Sequence, residues 1–216
     1  MGNLSYFRNV HNRNSYDNNG AVLKNYVHAN LVAMGYSNND NAFWDGSRMT
    51  YGDGTSCDIL TALDITAHEI GHGVCKYSVD SPNGLVYRGE SGAINESLSD
   101  IWGVCVENWA TTNKQTWLMG EDIGCIARSS SNPKSYNQPN TYGGTYWWTP
   151  SDLSWDNGGV IAFRCCLVGH FAGFWKFTSR PSLCETPTDA KPYTRWLQAD
   201  YSVRRHPRSA VGFDRV

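Results

Sequence analysis

Residues 61–74 read TALDITAHEIGHGV, with His68 and His72 four apart and Glu69 directly after the first. On a helix, residues four apart share a face, so both imidazoles can reach one metal ion. Glu69 falls about 100° further around, too far to bind that ion along the same axis but placed to hydrogen-bond a water beside it. A histidine pair at this spacing also arises by chance, so its neighbours decide. Gly71 and Gly73 flank His72, where each glycine costs about 1 kcal/mol against alanine in a helix interior. Close packing or a ligand has to offset that cost. Glu96 near the start of GAINESLSDIWG supplies a third donor if its helix returns antiparallel to the first. Three protein ligands and one open position are what catalytic zinc requires. Asp100, one turn beyond Glu96, is placed to accept the free ring N–H of a ligating histidine.

Two helices therefore have to carry the chemistry. The first is expected from about Leu63 to Ser78, with Asp64 near its positive end, and is broken by the turn residues DSPNG. The second follows the periodicity of Ile94, Leu98, Ile101, Trp102, Cys105 and Val106. Upstream, NVHNRNSYDNNG is polar and turn-rich. It leads into AVLKNYVHANLVAMGY, where Val22, Leu23, Tyr26, Val27, Leu31 and Met34 recur at helical spacing and predict a helix. NNDNAFWDGSRMTYGDG, bracketed by Asp-Gly turns, predicts a strand or hairpin edge. Residues 111–159 are dense in Ser, Asn, Gly and Pro and read as loops.

A chain of 216 residues, 40% hydrophobic and 18% charged, suits one large domain or two small lobes. No stretch approaches the roughly 20 apolar residues of a membrane span. The opening MGNLSYFRNV shows no signal-peptide pattern, so either the protein is cytosolic or its true N-terminus lies upstream. The net charge of −2 hides an asymmetry: residues 1–160 carry nine basic and sixteen acidic residues, residues 161–216 nine and four. A basic tail suits an acidic partner, or a segment of different origin. None of the seven cysteines forms a CxxC pair, which argues against a cysteine zinc or redox motif. One disulfide among Cys57, Cys75, Cys105 and Cys125 is open, and sequence does not choose it.

The motifs AHEIGHGV and LVYRGESGAINESLSDIWG resemble the thermolysin-like neutral metalloproteases. The resemblance extends to YFRNVHNRNSYDNNG, NAFWDGSRMTYGDG, GEDIG, ARSSSNP and WDNGGV, in the family's order over about residues 4–160. It implies an α+β, two-lobe metalloprotease fragment: a partial catalytic domain over 1–160 with central zinc-binding helices, and a non-matching, irregular tail over 161–216. It also implies roles. His68, His72 and Glu96 would bind zinc. Glu69 would act on the water and pass its proton to the leaving amine. Tyr87 would help hold the oxyanion, and Asp156 would orient a catalytic histidine. Asn41 and Ala42 would pair with the substrate backbone, and Arg128 would grip a substrate carbonyl. The implied substrate is a peptide or protein, cut on the amino side of bulky apolar residues. The expected chain is a monomer that engages neither nucleic acid nor membrane, secreted in its full-length form.

The sequence departs from that family in three places. The turn SVDSPNG is an extra surface loop. Asp64, Glu107 and Glu121 match calcium-binding carboxylates, but Thr116 and Leu118 stand where two more acids are expected. Since calcium takes six to eight oxygens, a paired site is not expected and a single weak one is left open. After DNGGV the family has a histidine that stabilises the transition state, whereas this chain has Ile161, and His170 comes nine residues late. The loss of pattern, the charge reversal and a codon argument on Phe163-Arg164-Cys165-Cys166 point to a tail read out of frame from about Ile161. Two readings follow: a zinc endopeptidase of reduced or no activity, or an inactive zinc-binding remnant or mistranslated fragment. Another HExxH enzyme, such as an aminopeptidase, fits the downstream motifs less well.

Overall fold

The computed structural model describes residues 2–79, 84–87, 89–111, 115, 117–141 and 144–146. Asp156, Ile161, His170, Thr116 and the whole 161–216 tail lie outside the described residues. The element order is helix α1 (Gly2–His11), strands β1 (Lys24–Ala29), β2 (Ala42–Trp44) and β3 (Arg48–Gly52), and helices α2 (Leu63–Ser78) and α3 (Gly89–Ala110). A small hairpin, β4 (Leu118–Met119) with β5 (Arg128–Ser129), follows. The fold is α+β. Its two long helices occupy the spans that the sequence periodicity marks out.

One expectation is corrected. Residues 21–36 do not form a helix: they contain strand β1 and a single 3-10 turn, Val32–Met34. β1 pairs in parallel with β3, Lys24 opposite Arg48 and Tyr26 opposite Thr50. The apparent helical stripe also fails as a core face, because Val22, Tyr26, Val27 and Met34 are exposed. Sheet hydrogen bonds satisfy this backbone, and asparagine, valine and tyrosine offer little helix propensity to oppose them.

The expected hairpin is present. β2 and β3 pair antiparallel with Ala42 opposite Tyr51 and Trp44 opposite Met49, and the sheet order is β1-β3-β2. Ala42, Met49 and Tyr51 turn into the core formed with Ala67, Ile70 and Val74 of α2 and Ile101 and Val106 of α3. α1 was not anticipated; it caps the other side. Its Phe7 ring lies 5.2 Å from Trp102, and its Tyr6 ring 5.8 Å from Trp109.

α2 and α3 approach each other closely because glycines line their contact. A Cβ on Gly71 would sit 2.9 Å from the Ser99 Cα, and one on Gly103 would sit 2.8 Å from the Met119 Cε and 3.0 Å from the Asp64 carbonyl. Packing is thus what offsets the glycine cost at Gly71. A disulfide joins Cys57 to Cys125 across 68 residues, while Cys75 and Cys105 are buried thiols. This bridge ties the loop after β3 to the turn Glu121–Ile123, alongside an Asp58 N–H that donates to the Ile123 carbonyl at 3.0 Å.

Candidate metal centre

Asp64, His68 and His72 recur every four residues along α2, forming one polar stripe that faces α3. Glu96, Asp100 and Glu107 form the opposing stripe. At one end, the His68 and His72 Nε2 atoms lie 3.2 Å apart. Glu96 closes the triangle from α3, with Oε2 3.4 Å from the His68 Nε2 and Oε1 3.7 Å from the His72 Nε2. Ligand atoms on a tetrahedron with bonds near 2.0–2.1 Å are about 3.3 Å apart, a spacing that the two Nε2 atoms and the His68–Glu96 pair already approach.

Glu69 is the competing carboxylate. Its oxygens stand 3.9 Å from each histidine Nε2, further than those of Glu96. Its Oε2 accepts the Trp44 backbone N–H at 3.0 Å, which holds the side chain beside the triangle. Burial supplies a second test of fit. Glu69, Glu96 and Asp100 are all buried, and Asp100 pairs with Arg128. Buried carboxylates without compensating charge are costly, and a divalent cation compensates them.

The far side of each imidazole is also held. The His68 Nδ1 lies 2.7 Å from Asp100 Oδ1. Arg128 forks onto the same carboxylate, Nε donating to Oδ2 at 2.8 Å and Nη2 to Oδ1 at 2.6 Å. The His72 Nδ1 lies 2.6 Å from Asn95 Oδ1 and 3.1 Å from Ser99 Oγ. A carbonyl oxygen such as that of Asn95 only accepts, which fixes the proton on Nδ1 and leaves Nε2 with its lone pair. Burial, and next the neighbouring His68, lower the His72 pKa, favouring the neutral, metal-binding ring. Asn95 and Ser99 were missed from sequence. The available signal was polar side chains flanking Glu96 on an otherwise apolar helix.

The structure brings Tyr87 and Arg128 to this centre, each on one of its carboxylates. The Tyr87 hydroxyl donates to Glu96 Oε1, although its side chain is largely exposed. Arg128 has two of its nitrogens on Asp100. Asn41 and Ala42 lie where β2 begins. The Gly52 N–H donates to the Asn41 carbonyl and the Asp45 N–H to the Arg48 carbonyl, so the alternate residues Ala42 and Trp44 present their backbone groups to the outer edge. That edge faces Glu69, as the Trp44 contact records.

At the other end of the seam, carboxylate oxygens of Asp64, Glu107 and Glu121 lie within 4.8 Å of one another. Asp64 and Glu107 are buried. Asp64 Oδ2 accepts the Gly120 N–H at 2.6 Å and Oδ1 the Ile65 N–H at 2.7 Å, yet burial still raises its pKa. This is an all-oxygen cluster of the kind that hard cations take.

A helix pair presenting two histidines and a glutamate, beside a second glutamate and an open strand edge, defines a metallopeptidase-type centre. The thermolysin metallopeptidase catalytic domain matches residues 2–76, and the alpha-helical domain of the same family matches residues 83–162. The chain belongs to the thermolysin metallopeptidase family. It is 47% identical over 165 residues to bacillolysin of Brevibacillus brevis, covering 72% of this chain and 27% of that protein. It is 40% identical over 164 residues to the extracellular elastase of Staphylococcus epidermidis, covering 72% and 29%. A solved structure described as a precursor of protealysin, a metalloproteinase from Serratia proteamaculans, aligns with a TM-score of 0.63 at 30% identity. That alignment covers 78% of this chain and 54% of the other. The chain thus spans between a quarter and a third of the length of these curated relatives.

Proposed function

We propose that the chain carries the metal centre of a zinc-dependent endopeptidase, with His68, His72 and Glu96 as ligands. The observation that carries this reading is the convergence of the two imidazoles, 3.2 Å apart at Nε2, on the Glu96 carboxylate, whose Oε2 and Oε1 lie 3.4 Å and 3.7 Å from His68 and His72 in turn. Zinc, when bound, supplies a Lewis acid that brings the pKa of a coordinated water toward about 7.

The remaining steps belong to the protein. Glu69, held by the Trp44 N–H, takes a proton at its other oxygen and delivers it to the leaving amine. The outer edge of β2 pairs with an extended substrate backbone through the Ala42 main chain, while Asn41, its own carbonyl taken by the Gly52 N–H, offers its side chain; this lays the scissile bond beside Glu69. The Tyr87 hydroxyl, exposed enough to turn, leaves Glu96 to donate to the oxyanion. Arg128 keeps its fork on Asp100 and offers the outer Nη1 to a substrate carbonyl. Asp156 has the role of orienting a histidine, but Ile161 occupies the place where the family has that histidine. This substitution favours a second reading, a zinc-binding chain of little or no activity. Loss of one oxyanion donor typically lowers the rate about 10²–10³-fold.

Asp64, Glu107 and Glu121 offer three carboxylates toward a single weak calcium site, which would need backbone or water oxygens to complete it. The full-length protein is secreted and takes peptides or proteins as substrates. The Cys57–Cys125 disulfide suits an oxidising compartment, and the Staphylococcus epidermidis relative is named extracellular. No described helix is long and apolar enough to cross a membrane. Hydrolysis of casein by the purified chain, abolished by chelation and by Glu69→Gln, tests the enzymatic reading. Stoichiometric zinc without cleavage selects the second.

A further inference from the structure

His72 differs from His68 in how its outer nitrogen is held. The His68 Nδ1 meets a carboxylate, Asp100. The His72 Nδ1 meets two neutral oxygens at once, Asn95 Oδ1 at 2.6 Å and Ser99 Oγ at 3.1 Å. Asn95 and Ser99 are four apart on α3 and so occupy one face. Ser99 is fully buried, an unfavourable place for a helical serine unless its hydroxyl is used.

What brings that hydroxyl within reach is a missing side chain. A Cβ on Gly71, the residue before His72, would stand 2.9 Å from the Ser99 Cα, 3.1 Å from its Oγ and 3.1 Å from the Trp102 Cδ1. Any larger residue there moves α3 away and breaks the Ser99 contact before the shorter Asn95 one. We propose that Ser99 is a positioning residue of the metal centre: its hydroxyl shares the His72 Nδ1–H with Asn95, and Gly71 is the gap through which it does so. The pair keeps the ring proton on Nδ1 and Nε2 open toward the ion, doing with two neutral acceptors what Asp100 does for His68 with one charge. The inference rests on the proposed zinc reading only for its effect on affinity; the hydrogen bond itself stands without metal.

The test uses the full chain with ¹⁵N-labelled histidine. In metal-free protein, the His72 Nδ1–H resonance is expected to persist, shifted, in Ser99→Ala and in Asn95→Ala, and to be lost to exchange in the double variant. Ser99→Cys fills the same space with a weak acceptor, so it should shift the resonance as alanine does if hydrogen bonding, not packing, is the role. Zinc ion alone is then titrated against a chromophoric chelator. Each single replacement should weaken zinc by no more than about tenfold, because the other oxygen still takes the N–H. The double variant should weaken it by more than the product of the two. Gly71→Ala should match Ser99→Ala and add nothing to it. A His72 resonance insensitive to Ser99, or a double variant no worse than Asn95→Ala, overturns the assignment. A resonance that follows Ser99 in a chain that takes up no zinc upholds it and overturns the metal-centre reading instead.

Discussion

At one end of the α2–α3 seam the polar stripe holds His68, His72 and Glu96; at the other it holds Asp64, Glu107 and Glu121. Asp64, His68 and His72 share α2, Glu96 and Glu107 share α3, and Glu121 comes from the turn Glu121–Ile123; the two sets differ in donor chemistry. Imidazole nitrogens stay neutral when buried and bind borderline metals, so the first end can be completed with few charges and a braced outer shell. Three carboxylates repel one another, and burial already raises the Asp64 pKa, so the second end depends on a hard cation or on protonation. One helix pair thus contributes to two clusters that differ in donor type.

The largest expected effect comes from the ligands at the first end. Glu96→Gln, or His72→Ala, should abolish stoichiometric zinc uptake measured by elemental analysis after dialysis. Glu69→Gln should leave uptake intact and remove any cleavage. If Glu69→Gln loses zinc while Glu96→Gln keeps it, the nearer carboxylate has been misassigned. Next comes the bracing. Asp100→Asn removes the charge between Arg128 and His68 and should weaken zinc about 10–100-fold in a chelator competition. No change would mean that the 2.7 Å contact does nothing for the ligand.

The second end should respond to a different ion. Calcium at a hundred times its dissociation constant stabilises by about 2.7 kcal/mol, so a weak site near saturation should raise the unfolding free energy by ~1–3 kcal/mol. Glu107→Gln should erase that gain without altering zinc affinity. A zinc affinity that falls in Glu107→Gln would show that the two ends are not independent.

These contrasts also explain what could be read in advance. His68, His72 and Glu69 are legible because helical period alone puts them together, and the spans of α2 and α3 follow from the same periodicity. Glu96 is 24 residues past His72, so its place depended on guessing an antiparallel return and on family pattern. The segment at β1 has apolar spacing that fits a helix, while the pairing partner that decides the matter, β3, is remote in sequence. Cys57 could not be matched to Cys125 from local pattern, because 68 residues of tertiary path separate them. Asn95 and Ser99 look like ordinary helical polar residues until the rotation of α3 about its axis is known.

The smallest expected effect concerns Cys75, a group on the same helix that burial perturbs without help from any charge. Its thiol lies one turn past His72 side by side with Val74 in the core, and burial pushes its pKa up to about 11. Because the folded value is raised, the folded state favours the neutral thiol. Its contribution is fully present below the unfolded pKa, near 8.5–9, and is lost as pH rises toward 11. The loss amounts to about 1.5 kcal/mol by pH 10. Many tyrosines and lysines titrate over the same window, so the measurement is a difference: urea unfolding of the chain and of Cys75→Ala at pH 8 and pH 10. Wild type should lose about 1.5 kcal/mol more than the variant between the two. Equal losses would mean that Cys75 ionises as easily folded as unfolded, and that the core beside His72 is wetter than its packing indicates. Such a result would weaken the metal centre too, since Glu69, Glu96 and Asp100 call for a compensating cation only where packing shields them from water.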